Sequence, residues 1–397
     1  MLSSGIDVSA EDRLIPLCAP EISGNEWKYV KECLDTGWVS SAGPFVERFE
    51  LETARYVGAR QGVAVSSGTA ALHVALKVVG VRPDDEVLVS DLTFVAAANA
   101  VSYCRAHPVL MDADRTTWEM DVDKVARFLD EECVVDKSEC RNRRTGRRVR
   151  AILPVHILGM SCRIDRIMEL ARRYSLKVVE DSAEALGVRF ADRHVGTFGD
   201  IGAFSFNGNK ILTSGGGGML VTDNEEYAKR ARYLTTQAKD DPQEYFHNEV
   251  GYNYRLSNIQ AALGVAQLEQ IDRFIDRKRS IARTYEDAFR DLPGVETMPA
   301  ETPGVRPTFW LYTVLLDEAI TLEERRRFVS AIRKDGVGAR SLWHPIHDLP
   351  PYRGCQAYDI QISPELFRRA ISLPSSVGIP EDDLGRSISV FKKNLPG

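Results

Sequence analysis

Short apolar segments rich in β-branched residues alternate with helical patterns from residue 62 to residue 235 of this 397-residue chain. The segments that we predict to be strands are 62–66, 86–90, 108–112, 150–155, 176–181, 202–206 and 219–222. Between or after them lie segments with helical spacing, at 69–79, 94–103, 121–132, 164–174 and 225–235. Alternation of this kind is typical of a mostly parallel sheet covered by helices on both faces.

The pattern changes in the last third of the chain. Residues 259–292 have the apolar spacing of one long helix, and fewer, more separated elements follow it. These are a strand at 310–316, a helix at 322–335, a strand at 339–343 and a helix after Pro380. We therefore predict an α/β fold with a large domain over residues 1–270, followed by a connector helix and a small C-terminal α+β domain over residues 271–397.

Two shorter segments carry local signals. Ser23 is followed three positions later by Glu26, which is the spacing of a capping box, and predicts the start of an amphipathic helix. The basic run at 141–150 follows an acidic stretch, and we predict that it is a solvated loop insertion.

The composition argues against several classes of protein. A nucleic-acid binder would carry a basic excess, whereas the net charge here is −6. No apolar run reaches about 18 residues, so we expect no membrane span. The seven cysteines lack metal-ligand spacing, and we expect reduced thiols in a cytoplasmic protein without a metal site.

One lysine follows a predicted strand in an unusual setting. Residues 204–210 read FSFNGNK, and the segment ILTS and four glycines come directly after them. An ordinary surface lysine would not be expected between aromatic strand residues and a glycine turn. A lysine held partly out of water has a lowered pKa and can be the amine of a Schiff base. Our hypothesis is that Lys210 carries a covalently bound aldehyde cofactor.

The first of three polar strand ends is the segment 66–71, with the sequence SSGTAA. A helix that begins here would present free N–H groups and the positive end of its dipole to an anion such as phosphate. Gly68 would allow close approach, and the hydroxyls of Ser67 and Thr69 could add hydrogen bonds. The alternative is an ordinary helix N-cap.

The second strand end is the segment 178–184, VVEDSAE. A carboxylate at the end of an apolar strand is costly unless it meets a cation or a donor. Asp181 could pair with a protonated ring nitrogen, and Glu184 could reach a ring hydroxyl or the substrate. The alternative is that Asp181 caps a helix.

The third strand end carries Ser205 and Lys210, with a hydroxyl for the phosphate and an amine for the aldehyde. Phe94, which follows another predicted strand, could stack on the cofactor ring or could be a core aromatic. Strand ends of a parallel sheet meet at one edge, where ligands bind. The combination matches the requirements of pyridoxal 5′-phosphate (PLP), with Lys210 moving a proton between the amino donor and the cofactor.

With further segments, these residues resemble the DegT-type nucleotide-sugar aminotransferases, which have the aspartate aminotransferase-like PLP fold type I. The resemblance runs from Pro16 to the C-terminus. Its marks are GWVS at 37–40, SGTAAL at 67–72, EDSAE at 180–184, SF at 205–206 with Lys210, NYRLSN at 253–258, HPIH at 344–347 and PY at 351–352.

The resemblance implies the site residues. Those implied for the cofactor are Gly68, Thr69, Ala70, Phe94, Asp181, Glu184, Ser205, Lys210 and Asn253. In the family, the residue at Asn253 reaches the neighbouring subunit's phosphate, which implies a homodimer with shared active sites. We predict Glu184, His344 and His347 as substrate contacts. His156, at another strand end, could belong to the site or to the core.

Glu184, together with the segments 207–210 and 33–41, resembles one branch of this family. Its members move an amino group from glutamate to the C4 ketone of a UDP-linked 4-keto-6-deoxy-N-acetylhexosamine, as in bacillosamine and legionaminic acid routes. One alternative is an aminotransferase for GDP-4-keto-6-deoxymannose, of the perosamine synthase type. Another is a PLP-binding regulatory protein without turnover. Family members that dehydrate have histidine in place of the lysine, so Lys210 argues against them.

Overall fold

The predicted alternation forms a ten-stranded sheet in the computed structural model, which describes residues 14–241, 243–299 and 303–395. The strands are β1 (Gln61–Val65), β2 (Glu86–Ser90), β3 (His107–Met111), β4 (Cys133–Asp136), β5 (Glu139–Asn142), β6 (Arg148–Leu153), β7 (Lys177–Asp181), β8 (Arg189–Phe190), β9 (Arg193–His194), β10 (Ile201–Ser205), β11 (Gly218–Thr222), β12 (Val295–Glu296), β13 (Val305–Arg306), β14 (Thr313–Leu316), β15 (Arg340–Ser341), β16 (Ala357–Tyr358) and β17 (Ala370–Ser372). The helices are α1 (Glu26–Thr36), α2 (Pro44–Val57), α3 (Gly68–Val78), α4 (Ala96–Tyr103), α5 (Val122–Glu131), α6 (Ile164–Arg173), α7 (Glu225–Thr235), α8 (Asn258–Leu268), α9 (Ile271–Phe289), α10 (Leu322–Lys334), α11 (Ile362–Arg369) and α12 (Glu381–Asn394).

The main sheet is mostly parallel, as predicted. Its order is β1-β11-β10-β7-β6-β2-β3-β16, and the neighbours from β10 to β16 are parallel. Strand β11 is antiparallel to both β1 and β10. The loop between β10 and β11 contains Lys210, so the two strands that we expected on either side of this lysine are present.

Helices cover both faces of this sheet because its strands are apolar on both sides. In β2, Val87 and Val89 pack into one buried core, whereas Leu88 between them packs into another. The first core includes Leu72 of α3, and the second includes Phe128 of α5. Side chains alternate across a strand, so a continuous apolar run indicates burial on both faces.

The C-terminal segment contains a second, antiparallel sheet in the order β12-β14-β17-β15. Strand β16 leaves this region and pairs with β3 at the edge of the main sheet. The domain boundary at residue 270 coincides with the gap between α8 and α9, and it stays a prediction. Within residues 14–241, 243–299 and 303–395, no helix has both the length and the apolar character to cross a membrane.

Three local predictions are wrong. The single helix at 259–292 is two helices, and the Glu269 carboxylate at the break accepts hydrogen bonds from Tyr29 and Arg48, at 2.7 and 2.9 Å. Ser23 is not the N-cap, because α1 begins at Glu26 and the Glu26 carboxylate accepts the Gly24 N–H at 2.7 Å.

The third error concerns the basic run at 141–150, which is not a loop insertion. It contains the end of the β4–β5 hairpin and the start of β6. Cys140 and Asn142 are buried, and the Asn142 amide donates to the Glu86 carboxylate at 2.8 Å. These inward side chains hold the hairpin to the sheet and leave Arg141, Arg143 and Arg144 in solvent.

Candidate active site

The loops that follow β1, β2, β7 and β10 enclose a cavity of about 470 Å³. This is the carboxyl edge of the parallel strands, where such sheets bind ligands. Most of the predicted site residues line it: Gly68, Thr69, Phe94, Asp181, Glu184, Ser205 and Lys210.

Lys210 is held with its amine in the cavity. Its Nζ atom lies 3.1 Å from Glu184 Oε1 and 4.0 Å from the ring centroid of Trp310. The Trp310 indole N–H donates to the carbonyl oxygen of Asn209 at 2.7 Å, which ties the lysine loop to the same ring. The carboxylate and the aromatic face together hold the amine of a side chain that is only 13% exposed.

A second buried lysine shows what distinguishes Lys210. Lys278 is 1% exposed, and burial lowers its pKa. Its Nζ atom donates to the carbonyl oxygen of Trp310 at 2.8 Å and also to that of Ser375. Lys278 does not line the cavity, whereas Lys210 does. Of these two amines, only that of Lys210 is open to a ligand in the cavity.

Asp181 ends β7 on the cavity wall and is 5% exposed. Its Oδ1 atom accepts the Ala183 N–H at 3.0 Å, and no donor in the described part of the chain reaches Oδ2. Burial raises the pKa of Asp181 to about 6; the Ala183 hydrogen bond opposes this rise and the charge of Glu184 adds to it. A protonated ring nitrogen in the cavity would give this carboxylate the cation that it lacks.

His156 belongs to the core beneath Asp181. It is fully buried, and its Nε2 atom lies 3.0 Å from Glu180 Oε2. Because His156 Nδ1 accepts the Cys162 N–H at 3.1 Å, the ring proton is on Nε2 and is donated to Glu180. Burial alone would raise the pKa of Glu180, but this hydrogen bond and two backbone N–H donors hold it below its usual value.

The anion end of the cavity is the start of α3. The Ser67 hydroxyl accepts the Ala70 N–H at 3.1 Å, so Ser67 is an N-cap, as the alternative interpretation proposed. Ala70 is buried and does not line the cavity. Gly68 faces Ser205, and a Cβ atom on Gly68 would lie 2.7 Å from Ser205 Cβ. Without a Cβ atom, Gly68 packs directly against Ser205, so the free N–H groups of the helix start and the serine hydroxyl lie side by side at this end of the cavity, where a phosphate could meet both.

The glycine run has a steric purpose. Gly217 has φ +102°, in the left-handed region. A Cβ atom on Gly218 would lie 2.7 Å from the backbone of Ser67 and from the carbonyl oxygen of Phe204. The run therefore lets β11 pass between the end of β1 and β10, next to the cavity.

Phe94 lines the cavity and is 55% exposed, and its stacking on a cofactor ring stays a prediction. The other predicted residues lie outside the cavity, and Asn253 is exposed there. His347 Nδ1 lies 2.8 Å from Asp91 Oδ2, and this hydrogen bond raises the pKa of His347. His344 packs on Phe367, with 4.2 Å between ring centroids. Neither histidine lines the cavity, and their contacts with substrate stay a prediction.

Three residues of the C-terminal segment also line the cavity and were not predicted: Trp310, Arg340 and Trp343. The Arg340 guanidinium lies 5.8 Å from both tryptophan ring centroids and has no carboxylate within 4.0 Å in the described chain. Burial lowers the pKa of Arg340, and the charge of Glu184 opposes this. The only sign of these three residues in the sequence was that they lie at or near the ends of predicted strands.

The geometry of this site defines a class of protein. A lysine amine, a carboxylate with a free oxygen and a helix N-terminus facing a serine share one cavity, and they fit the aldehyde, ring nitrogen and phosphate of PLP. The sequence pattern of the DegT/DnrJ/EryC1/StrS aminotransferase family matches residues 20–392. The chain belongs to this family and is a PLP-dependent sugar aminotransferase.

Individual relatives are similar over nearly the whole chain. The GDP-perosamine synthase of Caulobacter vibrioides is 38% identical over 381 residues, covering 96% of this chain and 98% of that protein. The GDP-perosamine synthase of Escherichia coli O157:H7 is 38% identical over 364 residues, covering 91% and 93%. The PLP form of Spr1654 from Streptococcus pneumoniae has a TM-score of 0.84 at 25% identity, covering 96% and 100%. This likeness confirms PLP fold type I.

Proposed function

We propose that this enzyme transfers the amino group of glutamate to the C4 ketone of GDP-4-keto-6-deoxymannose in the cytoplasm. The observation that carries the reaction type is the Lys210 amine, placed in one cavity with Asp181 and the start of α3. The two GDP-perosamine synthases support the GDP-linked sugar. They favour it over the UDP-linked sugar that Glu184 and the segment 207–210 indicated.

Each cavity residue has a separate task. PLP, when bound, withdraws electrons from the Cα–H bond of the amino donor. Asp181 would accept a hydrogen bond from the ring nitrogen and keep that nitrogen protonated. Lys210 Nζ would take the Cα proton of the donor and pass it to the cofactor carbon that bears the amino group. Glu184 orients that amine, because its Oε2 atom is fixed by the Leu158 N–H at 2.9 Å and its Oε1 atom faces Lys210.

The position of Arg340 supports the proposal that the amino donor is an anion. The Arg340 guanidinium has no carboxylate partner among the described residues, and the rings of Trp310 and Trp343 lie beside it. Arginine binds a carboxylate through two parallel hydrogen bonds. A carboxylate of glutamate bound in the cavity would form an ion pair with Arg340.

The sugar nucleotide can be tested in a direct competition. We expect purified enzyme with PLP and glutamate to aminate GDP-4-keto-6-deoxymannose with a kcat/KM at least about 10²-fold above that for UDP-4-keto-6-deoxy-N-acetylglucosamine. Mass spectrometry of the products measures both reactions in one mixture, and omission of glutamate is the control. Amination of the UDP sugar alone would support the UDP branch instead.

We also propose a homodimer in which Asn253 of each subunit completes the partner's site. Asn253 is exposed and lies outside the cavity of its own chain, which supports a role across an interface. At the start of α3, the cofactor phosphate would need hydrogen-bond donors beyond those of its own subunit, and the amide of the partner's Asn253 could be one of them.

A subunit-mixing experiment tests this arrangement. Asn253→Ala and Lys210→Ala should each be nearly inactive alone. In a heterodimer, one site would keep both Lys210 and the partner's Asn253, so random mixing should restore about a quarter of the wild-type sites. The activity of refolded mixtures is compared with each variant refolded alone. No recovery above the sum of the two variants would show that Asn253 does not act across subunits.

A further inference from the structure

A second cavity, of about 300 Å³, lies between α10 and the segment 341–344, outside the active site. Its polar lining comes from Arg325, Arg326, Ser330, Arg333, Ser341 and His344. No acidic side chain lines it in the described part of the chain. A concave site with three arginines, two hydroxyls and no carboxylate has the chemistry of an anion site.

Arg325 is the unusual member of this group. It is 4% exposed, and its Nε atom is buried without a hydrogen-bond partner. Its Cζ atom lies 4.9 Å from the ring centroid of Phe367, and no residue of the described chain accepts a hydrogen bond from the guanidinium. Leaving a buried charged donor without an acceptor is costly.

Another buried arginine shows the usual arrangement. Arg369 is 3% exposed, and its guanidinium donates to Glu365 and Glu296, both at 3.0 Å, and to the Leu316 carbonyl oxygen at 2.8 Å. Among the described residues, the fold supplies hydrogen-bond acceptors to Arg369 and none to Arg325, so the Arg325 guanidinium is available to an anion in the cavity.

The neighbouring side chains point to the same conclusion. Neither Arg326 nor Arg333 has a carboxylate within 4.0 Å among the residues that the structure describes, and Arg333 Nε donates to the Ala339 carbonyl oxygen at 2.7 Å. Burial and the like charge of Arg326 lower the pKa of Arg325. An anion in the cavity would relieve this repulsion.

We propose that this cavity binds the phosphate groups of a small molecule. Guanidinium forks and hydroxyl groups together suit the oxygens of a phosphate or diphosphate. Ser341 and His344 line this cavity, whereas Arg340 and Trp343 in the same segment line the active site. A bound phosphate would thus hold the outer side of a segment that contacts the catalytic cavity. The inference does not depend on which sugar nucleotide is aminated.

Inorganic pyrophosphate is the probe, titrated calorimetrically into PLP-loaded enzyme. We expect binding that weakens at least about tenfold in Arg326→Gln and in Arg333→Gln. Arg327→Gln is the matched control, because Arg327 lies on the same helix, pairs with Glu323 and does not line the cavity. Its affinity should equal that of the wild type. Absence of binding, or equal weakening in all three variants, would overturn the proposal.

Two further arms complete the test. Arg325→Met should abolish pyrophosphate binding and leave the enzyme folded, because it replaces an unpaired buried charge with an apolar side chain of similar length. Undiminished binding in this folded variant would also overturn the proposal. If GDP competes with pyrophosphate in the wild type but not in Arg326→Gln, the phosphate groups that bind here belong to a nucleoside diphosphate. Pyrophosphate binding that GDP does not affect would identify a free phosphate compound.

Discussion

Replacement of Lys210 by alanine is expected to lower kcat/KM for amino transfer by at least about 10²- to 10⁴-fold, because the amine both anchors the cofactor and moves the proton. The measurement is product formation from glutamate and the GDP-linked keto sugar, with PLP in excess. The fold should survive, since the side chain's partners, Glu184 and Trp310, keep their other hydrogen bonds.

Lys210→Arg separates the charge from the amine. Arginine preserves a cation beside Glu184 and Trp310, but it stays protonated and forms no covalent bond with an aldehyde. We expect it to be as inactive as the alanine variant. Activity within about tenfold of the wild type in Lys210→Arg would show that Lys210 serves only as a charge, and such activity in Lys210→Ala would show that the side chain is not needed for amino transfer.

Replacement of Asp181 by asparagine should have the second-largest effect. The amide retains the shape of the side chain but cannot hold a positive charge on the ring nitrogen. We expect kcat to fall roughly 10²- to 10³-fold, as when one group that stabilises developing charge is removed. Steady-state kinetics at pH 7.5 with saturating PLP measures this loss. Activity close to that of the wild type would contradict the role of Asp181.

The same substitution should stabilise the cofactor-free protein. Burial raises the pKa of Asp181 in the folded state from 3.8 to about 6. The unfolded state therefore loses its proton first, and stability falls as the pH rises from about 4 to about 6. A shift of this size corresponds to roughly 3 kcal/mol at pH 7, as an upper bound. Asparagine has no such cost.

Denaturant unfolding of the cofactor-free proteins checks this prediction. Asp181→Asn should be the more stable protein at pH 7, and the difference should shrink below pH 4. Ser182→Ala is the control, because it changes the adjacent buried residue without changing a charge. Equal stability of the wild type and Asp181→Asn at pH 7 would mean that the Asp181 carboxylate is not strained in the absence of PLP.

The sequence was sufficient to predict the main sheet and one wall of the cavity. Strands of a parallel sheet end at one edge, so the positions of Asp181, Ser205 and Lys210 after three apolar runs placed them together. Trp310 and Arg340 were missed because they reach the cavity from the C-terminal segment, Arg340 from the second sheet and Trp310 from the loop before β14, and the packing of that segment is not encoded in local periodicity. The hairpin around Asn142 was missed because its basic residues hid two buried positions.

The role of Lys210 is tested most directly by identifying the amine that binds the cofactor. Borohydride reduces the carbon–nitrogen double bond formed between a lysine and the PLP aldehyde to a stable single bond. Peptide mass spectrometry then locates the modified residue. We predict the added mass on the peptide that contains Lys210 and no cofactor adduct in Lys210→Ala. Modification of another lysine, such as Lys278, or no modification in the presence of PLP, would show that Lys210 does not bind the cofactor.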